Sequence, residues 1–291
     1  MRDAVPSRTA MATAFARAMH VMVDAAPCVC NDTVAFRLLP AYQRLYLERL
    51  ARYSRSWIGR RTRWPGAYDL MRAQIVVRAR YAEDALKRAQ ESGAGRYVVL
   101  AAGLDTFALR QPGPVLPVVE IDHPATQRWK RELLVRRGIQ EPAELRFLPV
   151  DFERETLADA WIDGSAPDFI SWLGTTYYLS REAIAGTLAT LAGRTLPGSQ
   201  LVLDFWREPP SSDISAPLLW GTRIAVALQQ EPMRSFFDPD EICELAMASG
   251  WEPRELCSPA DQDRRYLADR PDRLSVPSFA YLLHLQRTVE K

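Results

Sequence analysis

The stretch Tyr97-Val98-Val99-Leu100-Ala101-Ala102-Gly103-Leu104-Asp105-Thr106 constrains the fold more than any other. An apolar run rich in β-branched residues meets small residues, one glycine and then an acid. That is how a buried parallel strand ends at a turn where a ligand approaches the backbone. Ala101, Ala102 and Gly103 put no bulky side chain in the way of that approach. A second strand, Pro117-Val118-Val119-Glu120-Ile121-Asp122, also ends in acid. Asp122 follows the turn by about 20 residues, the distance at which nucleotide-binding sheets place a carboxylate on a ribose hydroxyl.

Alternation of short apolar runs with helical patterns continues down the chain and predicts an α/β fold with a doubly wound, mostly parallel sheet. The expected strands are 97–100, 118–121, 145–150, 168–173 and 200–205, with a last, antiparallel strand over 279–285 in a seven-stranded, Rossmann-like arrangement. A helix or a frayed arm is expected over 8–23, and helices from Thr33 as a cap to Leu39, over 42–58, 68–92 and 124–137, from about 155 to 161, from Ser180 to about 191, and from Asp238 to Gly250. The organisation expected is an N-terminal helical cap over residues 1–92 and a sheet domain over 93–291. Between 207 and 235 four prolines break the pattern, which reads as an insertion covering a pocket or as a plain long connection.

Composition excludes several classes. A net charge of +1 provides no field for nucleic acid or an acidic membrane. No apolar run reaches the roughly 18 residues that span a bilayer, and Met1-Arg2-Asp3 opens no signal segment, so a cytoplasmic location is expected. Cys28, Cys30, Cys243 and Cys257 read as reduced thiols, and His20, His123 and His284 fall in no metal-binding frame. No metal is expected. The partner expected is a small molecule, with a homodimer left open.

Ligands bind at the carboxyl ends of the strands in such sheets. Those ends carry small residues, then Asp122, then Asp151-Phe152, then Leu173-Gly174. An acid after the second strand suits a ribose diol. An acid after the third suits an exocyclic amine, with Phe152 as a wall for the ring. Together they describe an adenosine. The first loop lacks the G-x-G-x-x-G that would hold a diphosphate on a helix N-terminus, and Asp105 would repel phosphates. A phosphate-free adenosine with an amino-acid tail fits better: Asp105 near the ammonium, Arg78 on the carboxylate. That ligand is S-adenosyl-L-methionine.

These residues resemble the leucine carboxyl methyltransferase-like class I methyltransferases, whose bacterial members modify polyketides and other small molecules. The resemblance covers about residues 30 to 255. The family's G-A-G-x-D-T appears as Ala101 to Thr106, its E-x-D-x-P as Glu120-Ile121-Asp122-His123-Pro124, and its V-D-hydrophobic as Val150-Asp151-Phe152. The R-x-R-x-x-x-D stands as Arg78 to Asp84, and the W-L-G-x-x-x-Y-L of a bacterial branch as Trp172 to Leu179. Asn31-Asp32 and Phe237-Asp238-Pro239-Asp240-Glu241 match further motifs.

The resemblance implies a cofactor site of Arg78, Ala101, Gly103, Asp105, Glu120, Asp122, Asp151, Phe152 and Leu173. Arg78 would take the methionine carboxylate, Asp122 the ribose, and Asp151 with Phe152 the adenine. Ala101 stands where the family has glycine. Glu153 stands where members that methylate a peptide carboxylate have arginine, which favours a small-molecule acceptor. Tyr177 and Tyr178 are the expected catalytic contacts with it, and Trp206 and Trp220 its candidate walls. The expectation is an O-methyltransferase acting on a hydroxyl or carboxyl of a secondary metabolite such as a polyketide. The alternatives are a nicotinamide-dependent oxidoreductase, disfavoured by the missing glycine motif and Tyr-x-x-x-Lys pair, and a non-catalytic member that binds the cofactor.

Overall fold

The computed structural model describes residues 8–57, 66–111, 116–151, 157–213, 215–228 and 232–288. Four helices come first: α1 (Arg8–Val23), α2 (Thr33–Leu38), α3 (Ala41–Trp57) and α4 (Ala67–Glu91). The alternating part follows: β1 (Arg96–Leu100), α5 (Phe107–Arg110), β2 (Val118–Asp122), α6 (Pro124–Arg136), β3 (Leu145–Pro149), α7 (Leu157–Ala160), β4 (Asp168–Trp172), α8 (Arg181–Arg194) and β5 (Gln200–Trp206). Last come α9 (Ala216–Leu228), α10 (Pro239–Ala248), β6 (Trp251–Cys257), α11 (Pro259–Gln262) and β7 (Ala280–Arg287).

The seven strands form one sheet in the order β3-β2-β1-β4-β5-β7-β6. β1 to β5 pair in parallel, and β7 runs antiparallel to both of its neighbours. The chain winds outward from β1 through β2 to β3, then restarts on the other side with β4. The crevice between β1 and β4 is therefore the switch point at which such sheets take ligands.

Two apolar layers explain why the sheet is stable. Val98, Leu100, Ile121, Ile170, Leu201, Leu203 and Phe205 bury one face against α8 and α10. Tyr97, Val99, Phe169 and Val202 bury the other against Tyr81, Ala82, Ala85 and Leu86 of α4. The alternation along each strand sends successive side chains to opposite layers. α4 is thus a covering helix of the sheet itself. A third cluster joins α1 (Ala10, Ala14, Ala18) and α3 (Leu47) to Leu104 after β1 and to Leu133 and Leu134 of α6.

Differences from the expected elements have physical causes. Thr33 is not the cap of α2: Asp32 is, with its carboxylate accepting the Ala35 amide at 2.9 Å. Residues 207–235 hold a helix, α9, that the four prolines obscured. β6 has no counterpart among the strands expected from sequence. It is an edge strand carrying Glu252, Pro253, Arg254 and Glu255, so it lacks the apolar run of a central strand. Among the described residues, no helix is long and apolar enough to cross a membrane.

Candidate active site

The loop after β1 turns through two left-handed residues, Ala101 and Gly103, each at φ 52°. The turn aims the Gly103 amide at β2, where Asp122 Oδ2 accepts it at 2.5 Å. Asp122 Oδ1 takes the His123 amide at 2.6 Å. Burial pushes the Asp122 carboxyl up, and these two amides pull it back. The result is an acid at the rim of the sheet, braced from behind. A Cβ on Gly103 would lie 3.2 Å from Ala10 Cβ, so α1 packs directly over the turn.

Asp105 accepts the Phe107 amide at 2.8 Å and so starts α5. Asp151 follows β3, with an oxygen 3.6 Å from His123 Nε2. Phe152 and Glu153, which carry the adenine and acceptor expectations, lie outside the described residues. Leu173 is half-buried after β4, against the layer that holds Tyr97 and Phe169. Glu120 is placed differently from its neighbours in the motif. It is 1% exposed and pairs with Lys130 of α6 at 2.5 Å, and Lys130 also donates to the Asp105 carbonyl at 2.6 Å. Burial raises the Glu120 carboxyl to about 7, against the pull of Lys130. This side chain braces the loop from within, where sequence had placed it on the ligand.

Arg78 reaches from α4 to the ends of β4 and β5. Its Nη1 donates to Asp204 Oδ2 at 2.9 Å and to the Tyr177 hydroxyl at 3.2 Å. Its Nη2 lies 2.7 Å from where a Gly174 Cβ would stand, so glycine is required there for the guanidinium to cross the end of β4. Asp204 was not anticipated. Its Oδ2 also accepts Gln74 Nε2 at 3.0 Å, and its Oδ1 accepts the Gly174 amide at 2.6 Å. The signal was present in Leu201-Val202-Leu203-Asp204-Phe205-Trp206: an acid inside an apolar central strand must be paired.

Tyr177 is buried, stacked on Trp206 at a centroid distance of 4.2 Å, with Tyr178 edge-on at 4.8 Å. Burial raises the Tyr177 phenol to about 12, although Arg78 opposes the shift, so it stays protonated near neutrality. Tyr177, Trp206, Leu219 and Phe279 form one apolar cluster with half-buried Met71, Tyr178 and Phe236. Trp220, the second expected wall, faces outward and is 69% exposed. Among the described residues no group of His, Cys, Asp and Glu could hold a metal.

The N-terminal helices are tied to this rim by charge. Asp32, fully buried, takes Arg17 Nε at 2.8 Å and Thr106 Oγ1 at 2.6 Å, and Arg17 Nη2 donates to the Leu104 carbonyl at 2.6 Å. Arg110 lies 3.7 Å from the same carboxylate and bonds Glu83 of α4 at 2.5 Å.

The sheet order and the bent turn after β1 define a Rossmann-like fold. Solved structures share the fold. A family protein from Streptomyces avermitilis matches with a TM-score of 0.52 and 16% identity over 94% of this chain and 96% of its own. The profile of the leucine carboxyl methyltransferase family matches residues 10–192. YktD of Bacillus subtilis (strain 168), whose name assigns it to the S-adenosyl-L-methionine-dependent methyltransferases, is 32% identical over 98% of this chain and 99% of its own length. A protein of Mycobacterium sp. (strain JLS) with a name of the same class is 30% identical over 72% of this chain. The chain belongs to the leucine carboxyl methyltransferase family and is a methyltransferase; S-adenosyl-L-methionine is the methyl donor of that class.

Proposed function

We propose that this methyltransferase carries the methyl group of S-adenosyl-L-methionine to an oxygen of a small molecule, a secondary metabolite of the polyketide kind. One observation supports it above the others: the buried Arg78–Asp204–Tyr177 cluster lies at the ends of β4 and β5, on the same rim of the sheet as Asp122 and Gly103, and packs against aromatic side chains. The residues fit the donor. Ala101, Ala102 and Gly103 put no bulky side chain on the turn after β1, and Arg78 crosses the end of β4 beside Gly174. On this reading Arg78 holds the methionine carboxylate, Asp122 the ribose, and Asp151 the adenine amine.

When bound, the cofactor supplies a methyl on a sulfonium, which becomes a neutral thioether as an oxygen lone pair takes the methyl. A hydroxyl acceptor also releases a proton, to solvent; a carboxylate does not. The chain's own task is alignment and exclusion of water. Tyr177, held protonated, orients an acceptor and does not act as a base. His123 is spent on α6, its Nδ1 accepting the Ala125 amide at 3.1 Å.

Calorimetry with S-adenosylhomocysteine and with NAD tests the cofactor: saturable binding of the first alone is expected, and binding of NAD alone would favour the oxidoreductase reading. Incubation with methyl-labelled donor and a bacterial metabolite extract tests the transfer. Label in a low-molecular-weight product is expected; label only in protein would overturn the small-molecule reading.

A further inference from the structure

Arg78 meets its carboxylate differently from other arginines packed in this chain. Arg96 takes Asp168 side-on, Nε to Oδ1 and Nη2 to Oδ2, both at 2.8 Å. Arg72 takes Asp24 the same way, at 2.8 and 2.9 Å. That paired fork is the strong geometry for a guanidinium and a carboxylate, and in these two pairs the chain closes it on itself. Arg78 touches Asp204 only end-on. Its Nη1 donates to Asp204 Oδ2 at 2.9 Å and to the Tyr177 hydroxyl at 3.2 Å, which uses both Nη1 hydrogens. Among the described residues Nε and Nη2 have no hydrogen-bond partner, so the fork edge is left open. Arg78 keeps 8% of its surface exposed where Asp204 keeps 1%. The open edge also has a place. Nη2 crosses the end of β4 at Gly174, and β4 pairs with β1 as far as Trp172 opposite Leu100, just before the Ala101–Gly103 turn.

We propose that Asp204 is a positioning residue for the methyl donor: with Tyr177 it occupies Nη1 of Arg78 and so turns the Nε–Nη2 edge of the guanidinium toward the donor's carboxylate. The inference rests on the reading above that Arg78 holds the methionine carboxylate, and deepens it. Asp204 is itself held in a fixed direction. It lies in β5, between β4 and β7. Its Oδ1 accepts the Gly174 amide at 2.6 Å, its Oδ2 also accepts Gln74 Nε2 at 3.0 Å, and its carbonyl accepts the Thr176 hydroxyl at 2.6 Å. The arginine comes from a helix on the face of the sheet, on a long side chain with many rotamers. Anchoring one end of its planar fork removes that freedom before the donor arrives, so binding does not have to order it. A purely structural ion pair has no need of an open edge, as Arg96 and Arg72 show. A role as mere counter-charge makes the opposite forecast, because removing the acid would then strengthen the pull of Arg78 on a carboxylate.

The test titrates the full chain in a calorimeter with S-adenosylhomocysteine and with 5′-methylthioadenosine, which keeps the nucleoside and the thioether and lacks the amino-acid tail. S-adenosylhomocysteine is expected to bind the unaltered protein at least about tenfold tighter, the contribution of a hydrogen-bonded carboxylate. Asp204→Asn keeps the shape and removes the charge and one acceptor oxygen. It lowers S-adenosylhomocysteine affinity about tenfold and leaves that of 5′-methylthioadenosine unchanged. Tyr177→Phe, which frees the other Nη1 hydrogen, lowers S-adenosylhomocysteine affinity about threefold, again with the tail-less ligand unaffected; it decides the matter alone if Asp204→Asn does not fold. Tighter S-adenosylhomocysteine binding in Asp204→Asn would reduce the acid to a counter-charge. Equal losses for both ligands would make it a brace of the whole pocket, and unaltered affinity in the folded variants would leave it no part in binding. Each of these overturns the inference and leaves the methyltransferase reading in place. Equal affinity of the two ligands for the unaltered protein removes the Arg78 assignment with it, and failure of S-adenosylhomocysteine to bind at all removes the donor reading as well.

Discussion

Asp122 Oδ2 accepts the Gly103 amide at 2.5 Å, so the acid that ends β2 and the turn that ends β1 are one mechanical unit. Asp122→Ala is expected to weaken S-adenosylhomocysteine binding by at least about a hundredfold, because a carboxylate bonded to a sugar diol contributes about 1.5–3 kcal/mol for each hydrogen bond. Folding stability changes little, since burial disfavours the charge in the folded chain and water can reach the released amides. Calorimetry beside a urea titration separates the two effects; unchanged affinity removes Asp122 from the site.

Ala101 occupies a backbone region that suits glycine. At φ 52° its Cβ costs about 1–2 kcal/mol, part of which the stiffer unfolded chain of alanine offsets. Ala101→Gly therefore stabilises the protein by roughly 0.5–1 kcal/mol, read as a melting temperature a few degrees higher. A lower one would mean that the Ala101 methyl group contributes packing that outweighs its strain.

Asp32 holds the N-terminal helices to the turn after β1. Burial alone would raise its carboxyl, but Arg17, Arg110, the Thr106 hydroxyl and the Ala35 amide together hold it below the ordinary range. Its contribution is therefore complete above the unfolded carboxyl value of about 3.9 and is lost as the pH falls through the lower folded value. Asp32→Asn costs about 3 kcal/mol at pH 7, where it strands the half-buried Arg17 and Arg110. The gap to the unaltered protein narrows toward pH 3. A gap of constant size across that range would show that the ion pairs contribute nothing.

His284 on β7 gives the opposite end of the sheet an acid sensitivity. Burial, with Arg88 adding to it, lowers its imidazole to about 4, and it bonds Gln200 at 2.9 Å. The folded chain refuses a proton that the unfolded chain takes near 6.5, so stability is full above that value and falls as the pH drops from 6.5 toward 4. His284→Gln removes about 2–3 kcal/mol of that fall. Urea midpoints at pH 7.5 and pH 4.5 measure it; an identical fall in both proteins would assign the acid sensitivity elsewhere.

The central parallel strands β1, β2, β4 and β5 were legible because a strand buried on both faces is written as a largely apolar run. β6 was not, because an edge strand with one solvated side reads as polar chain. Asp122 announced itself by ending a strand, whereas Asp204 lies inside one and has meaning only with Arg78 and Gln74, 126 and 130 residues away. Glu120 shows the converse. Its motif placed it in the site, but strand alternation and the Lys130 side chain of α6 turn it to an interior role that no local pattern encodes.

The two ends of the described chain lie on opposite rims of the sheet. Ala10 rests on the turn after β1, while β7 runs back so that Gln286 pairs with Gln200 at the start of β5. α1 thus starts beside the rim where β1 to β5 end, and β7 finishes at the opposite one. For immobilising this enzyme with the turn after β1 clear, attachment on the β7 side is the geometrically neutral choice.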